Sequence, residues 1–431
     1  MYFISTRDTQ NKKNLTSAIQ TGLASDGGLF VPDHLPTINL SQFNMDQTYP
    51  LFAETLLQPF FTDDALSQHL SALCENTFNF PIPLKSINDH TYLLELFHGP
   101  TFSFKDIGAT FLANCFAAMN QQRTITIMVA TSGDTGSAVA SAFYQKPNVN
   151  VIILYPKGQI SAYQERQITC WGKNVLALAV TGTFDHCQQI VKTAFSDSWW
   201  QQQMGISSAN SINLGRLLPQ MVYFARASMQ LYQQTNLAPG IIVPTGNLGN
   251  ATAAYWAQAI GFPIREIVLA TNANHVIEDY LNTGVFTPQP SVATLANAMD
   301  VGNPSNFERL QYLFNTFSEF KKHVRAISVS DEQIRHTIQN IYQRYQTIVC
   351  PHTATGCFVR EQLSQQPWIV AATADPAKFS DVIGPILQRD IPISPQMQRY
   401  LNQEPQCLEV TPSLTQVTEV AREYFTYKCM P

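Results

Sequence analysis

The chain has 431 residues, 45% of them hydrophobic and only 13% charged, with a formal net charge of −5 and a pI near 6.0. That is enough apolar material for two or three packed domains, and without a basic stripe the electrostatic footprint of nucleic-acid binding is missing. The cysteines at 74, 115, 170, 187, 350, 357, 407 and 429 form no C-x-x-C pair and no Cys/His cluster at zinc spacing, so no metal site is indicated and small buried thiols in a reducing compartment are expected.

In chain order, Met1 to Asp8 carries neither a basic head nor a sustained apolar stretch, so no export signal is expected. No uninterrupted apolar run is long enough to span a bilayer, which predicts a cytoplasmic protein without membrane partners. Residues 1–80 read as a separate N-terminal unit, with a turn-rich stretch from Gly22 to Pro32 and helical-looking segments between Phe52 and Thr77. Pro81-Ile82-Pro83-Leu84 supplies a junction, because proline disfavours helix around it. Residues 81–431 follow as the main region.

Lys105 comes next, in Glu95-Leu96-Phe97-His98-Gly99-Pro100-Thr101-Phe102-Ser103-Phe104-Lys105-Asp106. An ammonium among Phe97, Phe102 and Phe104 would be partly desolvated, which favours the neutral amine, the form that condenses with an aldehyde such as pyridoxal phosphate. The bland reading is a lysine stem laid on an apolar surface with its head in water.

From Thr124 onward, continuous apolar runs recur at 125–131, 151–156, 175–180, 241–245, 266–271, 326–330 and 368–373, the pattern of strands buried on both faces. Helical spacing fills the stretches between, at 106–121, 159–171, 184–195, 213–233 and 250–260. This alternation predicts βαβ units and parallel sheet, an α/β architecture. Phe111, Phe116, Met119, Met221, Phe224 and Met229 fall on those helical patterns as core residues.

Three glycine-containing loops lead into helices. Thr245-Gly246-Asn247-Leu248-Gly249-Asn250 follows a buried strand, so free amides at a helix N-terminus could receive a phosphate; alternatively Gly246 and Gly249 only shape a tight turn. Its spacing is neither that of dinucleotide folds nor that of a Walker loop. Thr131-Ser132-Gly133-Asp134-Thr135-Gly136-Ser137 suits a carboxylate, or simply an N-cap. In Asn210-Ser211-Ile212-Asn213-Leu214-Gly215-Arg216, the arginine could fork onto a second anion or be an ordinary surface charge.

In this order the segments resemble the threonine synthase family, pyridoxal-phosphate enzymes of the tryptophan synthase β-like fold (fold type II). The resemblance rests on G-L-A-S-D-G-G-L-F-V-P, E-L-F-H-G-P-T-x-x-F-K-D, T-S-G-D-T-G-S-A, N-S-I-N-x-x-R, P-T-G-N-x-G-N, T-L-x-N-A-M-D and A-T-A-D-P-A-K-F, which together span nearly the whole chain. It implies an N-terminal unit of that family at 1–80, then a larger and a smaller α/β domain within 81–431, the smaller around 106–205. It also implies a carbon-oxygen lyase converting O-phospho-L-homoserine and water to L-threonine and phosphate, as a monomer or homodimer.

By the same resemblance Lys105 holds the cofactor covalently. Gly246, Asn247, Leu248, Gly249 and Asn250 bind its phosphate, and Thr373 places a hydroxyl beside the ring nitrogen, making the ring a milder electron sink than a carboxylate would. Ser132, Gly133, Asp134 and Thr135 take the substrate carboxylate, while Asn210, Ser211 and Arg216 take its phosphate. Many fold-type-II relatives carry Asn where this chain has Asp134, and many members carry Phe where it has Leu248, a change expected to matter little within an apolar contact. His98 is expected to fix a turn or line the pocket, and His352 to be structural or to support groups that touch the ligand. The rival functions are a phospho-lyase or threonine dehydratase of the same fold, or a catalytically silent ligand-binding homologue.

Overall fold

The computed structural model describes residues 1–119 and 123–428; Cys429 and the end of the expected 106–121 helix lie outside them. The strands are β1 (Phe3–Ser5), β2 (Lys12–Lys13), β3 (Phe30–Pro32), β4 (Leu84–Asn88), β5 (Thr91–Glu95), β6 (Ile125–Ala130), β7 (Val149–Pro156), β8 (Val175–Val180), β9 (Ile206–Ser207), β10 (Gly240–Pro244), β11 (Ile267–Thr271), β12 (Arg325–Ser328), β13 (Trp368–Ala372) and β14 (Cys407–Val410). They form a small sheet in the order β2-β1-β3, a six-stranded sheet β12-β11-β10-β13-β5-β4 and a five-stranded sheet β14-β8-β7-β6-β9.

Both larger sheets are parallel apart from β4, which pairs antiparallel with β5. The uniformly apolar runs explain this: every residue of β6, β8, β10, β11 and β13 is buried, so helices must cover both faces. Two strands depart from expectation. β12 is an edge strand with Arg325 exposed and Ile327 and Ser328 only half-buried, so it is not covered on both sides. β14 has the mostly exposed pattern Cys-Leu-Glu-Val, yet its backbone pairs in register with β8, Cys407 opposite Ala177 and Val410 opposite Val180.

Helix Lys105–Ala118 buries Ile107, Phe111, Leu112, Cys115 and Phe116, a three- and four-residue spacing that puts them on one face. That face packs on helix Leu214–Thr235 and helix Asp134–Phe143. Burying Phe111 completely contributes on the order of 2–3 kcal/mol, so the start of the helix, and with it Lys105, is rigidly held. In the N-terminal region β1–β3 form an antiparallel sheet. Helix Leu70–Thr77 then ends before the proline-rich stretch that leads into β4.

Candidate active site

A cavity of about 1340 Å³ opens between the two large sheets, with Lys105, Asp134, Arg216, Asn247 and Thr373 on its walls. Ser132, Thr135, Asn210, Ser211, Gly246, Leu248, Gly249 and Asn250 also line it. Gly133 makes the turn behind the wall instead: at φ +130°, any Cβ would lie 2.4 Å from Gln164 Cδ.

The lysine segment is pinned before the helix begins. Phe104 N–H donates to Thr373 O at 2.8 Å, Thr101 N–H donates to Asp106 Oδ2 at 2.9 Å, and the Thr101 hydroxyl bonds the other carboxylate oxygen. Phe102 takes φ +60°, a strained position for a non-glycine residue, held by this surrounding structure. Burial lowers the Lys105 pKa to about 8, with Asp134 opposing the shift and Arg216 and Lys378 adding to it. The amine lies 4.7 Å from the centre of the Phe104 ring. Phe97 and Phe102 do not supply the desolvation expected of them. They face a smaller neighbouring cavity, where Phe102 meets the Tyr400 ring edge-on.

At the loop after β10, Leu248 has φ +61° immediately before helix Gly249–Ala259. It is therefore a backbone-determining position as well as the apolar contact expected from sequence. A Cβ on Gly246 would stand 2.7 Å from Met299 Cα, so only glycine lets the loop lie against that wall. The asparagine side chains are spent on the protein, Asn250 within the loop and Asn247 on neighbouring segments. Asn250 accepts from the Thr245 hydroxyl at 2.7 Å and donates to Pro244 O at 3.0 Å; Asn247 donates to Ser211 Oγ at 2.6 Å and accepts from Ser305 N–H at 2.6 Å. What remains for an anion is the first-turn amides of the helix.

In the loop after β6, Thr131 Oγ1 accepts from the amides of Gly133 and Gly136 at 3.0 and 2.8 Å, and the helix N-cap is Gly133, without a side-chain cap. Asp134 is buried beside Lys378 Nζ at 2.7 Å and Gln164 Nε2 at 3.0 Å. Burial alone would raise its pKa, but Lys378 and Lys105 together hold it well below the usual carboxylate range, so the group is ionised. Lys378 also donates to Thr101 O at 2.9 Å, joining this loop to the lysine segment. Sequence reasoning assigned Lys378 no role. The stretch Ala374-Asp375-Pro376-Ala377-Lys378-Phe379 is charged and turn-forming and gives no sign of burial, yet the lysine proves fully buried.

Arg216 is 2% exposed, which excludes the surface-charge reading. Its Nη1 donates to Ala209 O at 2.5 Å while Nε has no partner, and burial lowers its pKa to about 10. Ser211 is gripped by Asn247 and by Asn306, whose Nδ2 lies 3.2 Å away. Arg309, also unassigned from sequence, bonds Phe30 O at 2.9 Å, Ile212 O at 2.7 Å and Asn306 Oδ1 at 2.7 Å. It thereby ties the N-terminal sheet to two of the loops. Thr373 is buried with an unpartnered Oγ1, its N–H donated to Thr353 Oγ1 at 3.3 Å. His98 pairs with Glu95 at 2.9 Å beside the smaller cavity.

The donor set matches a phosphorylated pyridine aldehyde. A poised amine, a helix N-terminus and an orphan hydroxyl belong to residues of one cavity, and the buried guanidinium of Arg216 on its wall adds a second anion-seeking group. Residues 81–370 match the family model described as pyridoxal-phosphate dependent enzyme, and residues 2–78 match that of the threonine synthase N terminus. The chain is 38% identical over 399 residues to threonine synthase of Haemophilus influenzae, covering 92% of this chain and 93% of that one. Against the Escherichia coli threonine synthase it is 37% identical over 385 residues, 88% of this chain and 90% of the relative.

The chain belongs to the threonine synthase family. Its backbone superposes on the crystal structure of the Escherichia coli family member with a TM-score of 0.93 at 33% identity, covering 98% and 100% of the two chains. The pyridoxal-phosphate-bound Brucella melitensis threonine synthase gives 0.91 at 30% identity, covering 98% and 99%. The architecture is accordingly fold type II, and the family's cofactor is pyridoxal phosphate.

Proposed function

We propose that this chain converts O-phospho-L-homoserine and water to L-threonine and phosphate. The observation that carries the reading is two anion-seeking groups in one cavity with Lys105: the helix N-terminus at Gly249 and the buried guanidinium of Arg216 on its wall. A cofactor phosphate and a substrate phosphate need one each.

Bound pyridoxal phosphate supplies an electron-withdrawing ring that stabilises negative charge next to the amino group. Lys105 would hold the cofactor aldehyde, and its free amine would move protons at Cα and Cβ of the substrate; a pKa near 8 suits it to both tasks near neutrality. The amides of Gly246, Asn247, Leu248, Gly249 and Asn250 would receive the cofactor phosphate, and Thr373 Oγ1 would serve the ring nitrogen. Ser132 and Thr135 present amides and hydroxyls to the substrate carboxylate, while Gly133, its amide spent on Thr131 Oγ1, only shapes the turn that carries them. Asp134 beside them does not repel it strongly, because Lys378 neutralises the charge. Asn210, Ser211 and Arg216 hold the phosphate as the Cγ–O bond breaks, and water then adds at Cβ.

Residues 1–80 serve as an N-terminal unit closing one side of the cavity, and 81–431 as the catalytic region with its smaller domain around 106–205. No helix among the described residues is long and apolar enough to cross a membrane, which is in keeping with a cytoplasmic enzyme. Incubating holoenzyme with O-phospho-L-homoserine and quantifying threonine, 2-oxobutyrate and phosphate tests the reading. Threonine and phosphate in equal amounts are expected; 2-oxobutyrate in place of threonine would make the protein an eliminating lyase.

A further inference from the structure

His352 is the second residue of helix Pro351–Glu361, 3% exposed, on the cavity wall. Its Nε2 lies 3.0 Å from the backbone N–H of Ala298, which can only donate, so in the neutral ring the proton sits on Nδ1. The ring is neutral at physiological pH: burial pushes its pKa down to about 4, with Lys105 and Lys378 adding to the shift and Asp134 opposing it. Those three groups, from helix Lys105–Ala118, the turn Pro376–Phe379 and helix Asp134–Phe143, are the charges that act on it, and Phe379 packs on its face at 4.9 Å.

The Nδ1–H donor is buried and has no acceptor among the described residues. Leaving such a donor unpaired is destabilising, so a partner brought by a ligand would be favoured. The same helical turn also holds the other orphan: Thr353 Oγ1 accepts from Thr373 N–H, and Thr373 Oγ1 is unpartnered too.

We infer that His352 touches the bound cofactor, donating its Nδ1–H to an oxygen the cofactor carries, as a fixed neutral donor. The inference rests on the function proposed above. It adds a third polar contact to the ring, beside Lys105 and Thr373, and because Nε2 is held by Ala298 the ring cannot turn over to act as a base.

Two substitutions separate this from a merely structural role. His352→Gln can keep an acceptor for Ala298 but loses the donor at the δ position; His352→Asn keeps the δ donor but loses the Ala298 bond. In the holoenzyme, Gln should shift the cofactor absorbance maximum and weaken cofactor binding about two- to tenfold, the range of one hydrogen bond. Asn should keep the native spectrum while lowering the melting temperature. A native spectrum for Gln, whether or not Asn is perturbed, would overturn the inference. Should both variants fail to fold, ¹⁵N NMR of the unsubstituted protein decides: the Nδ1–H signal should move on cofactor loading, and an unmoved signal overturns it. Protein that takes up no cofactor would instead count against the proposed function, leaving the two failures distinguishable.

Discussion

Replacing Lys378 with methionine should be among the costliest single changes in this chain. The ammonium is fully buried, 2.7 Å from Asp134 Oδ1, and without it the Gln164 amide is the hydrogen bond left to Asp134, with the charge of Lys105 acting from farther off. An unpaired carboxylate left in such a site costs about 3–5 kcal/mol. Of a total stability on the order of 5–15 kcal/mol, that is a large share. Urea unfolding at pH 7 reads it directly, provided the slope is unchanged. The double variant Asp134→Asn with Lys378→Met removes both charges and should recover roughly 2 kcal/mol or more of the loss. The pH sign follows from Asp134, whose native pKa is depressed: its stabilisation is complete above the ordinary carboxylate range and is lost as pH falls through the native value. The gap between the native protein and Lys378→Met should therefore narrow in acid, where the variant's carboxylate protonates. A cost under about 1 kcal/mol, a gap as wide at pH 3 as at pH 7, or a double variant no better than the sum of the singles would refute the reasoning.

Cofactor uptake should accelerate with pH up to about 8 and level off above it, because only the neutral Lys105 amine condenses. At pH 7.5 roughly a quarter of an amine with that pKa is neutral, against about 0.1% of an ordinary lysine, and stopped-flow absorbance would show the plateau. Thr373→Val should leave the stability of the cofactor-free protein within about 1 kcal/mol, since the hydroxyl has no protein partner, yet shift the holoenzyme spectrum. Arg309→Lys keeps the charge but loses the fork that holds Phe30, Ile212 and Asn306, and should cost about 2–4 kcal/mol in urea unfolding while raising KM for the phosphorylated substrate.

Local pattern carried the parallel sheets, because strands covered on both faces leave uninterrupted apolar runs, but it left each of the three loops open between an anion site and an ordinary turn or cap, because glycines and hydroxyls serve both; only their order along the chain pointed further. It did not carry β14, whose side chains are mostly exposed and whose partner β8 lies far away in the chain. Pairing there is made by backbone, which leaves little trace in residue type. Lys378 and Arg309 were invisible for a related reason: a buried charge is legible only through its partners, and Asp134 and Phe30 are distant in sequence. The aromatic cluster around Lys105 misled in the opposite way, since adjacency in sequence sent Phe97 and Phe102 to another cavity. Leu248 shows the same limit, because no residue type announces a left-handed backbone there.

The central claim is that chemistry in this cavity runs through Lys105. Reducing the holoenzyme with borohydride and mapping the peptides tests it directly. A single pyridoxyl adduct, on Lys105 and formed in proportion to bound cofactor, is expected; an adduct on any other lysine, or none from protein carrying the cofactor's absorbance, would rule Lys105 out.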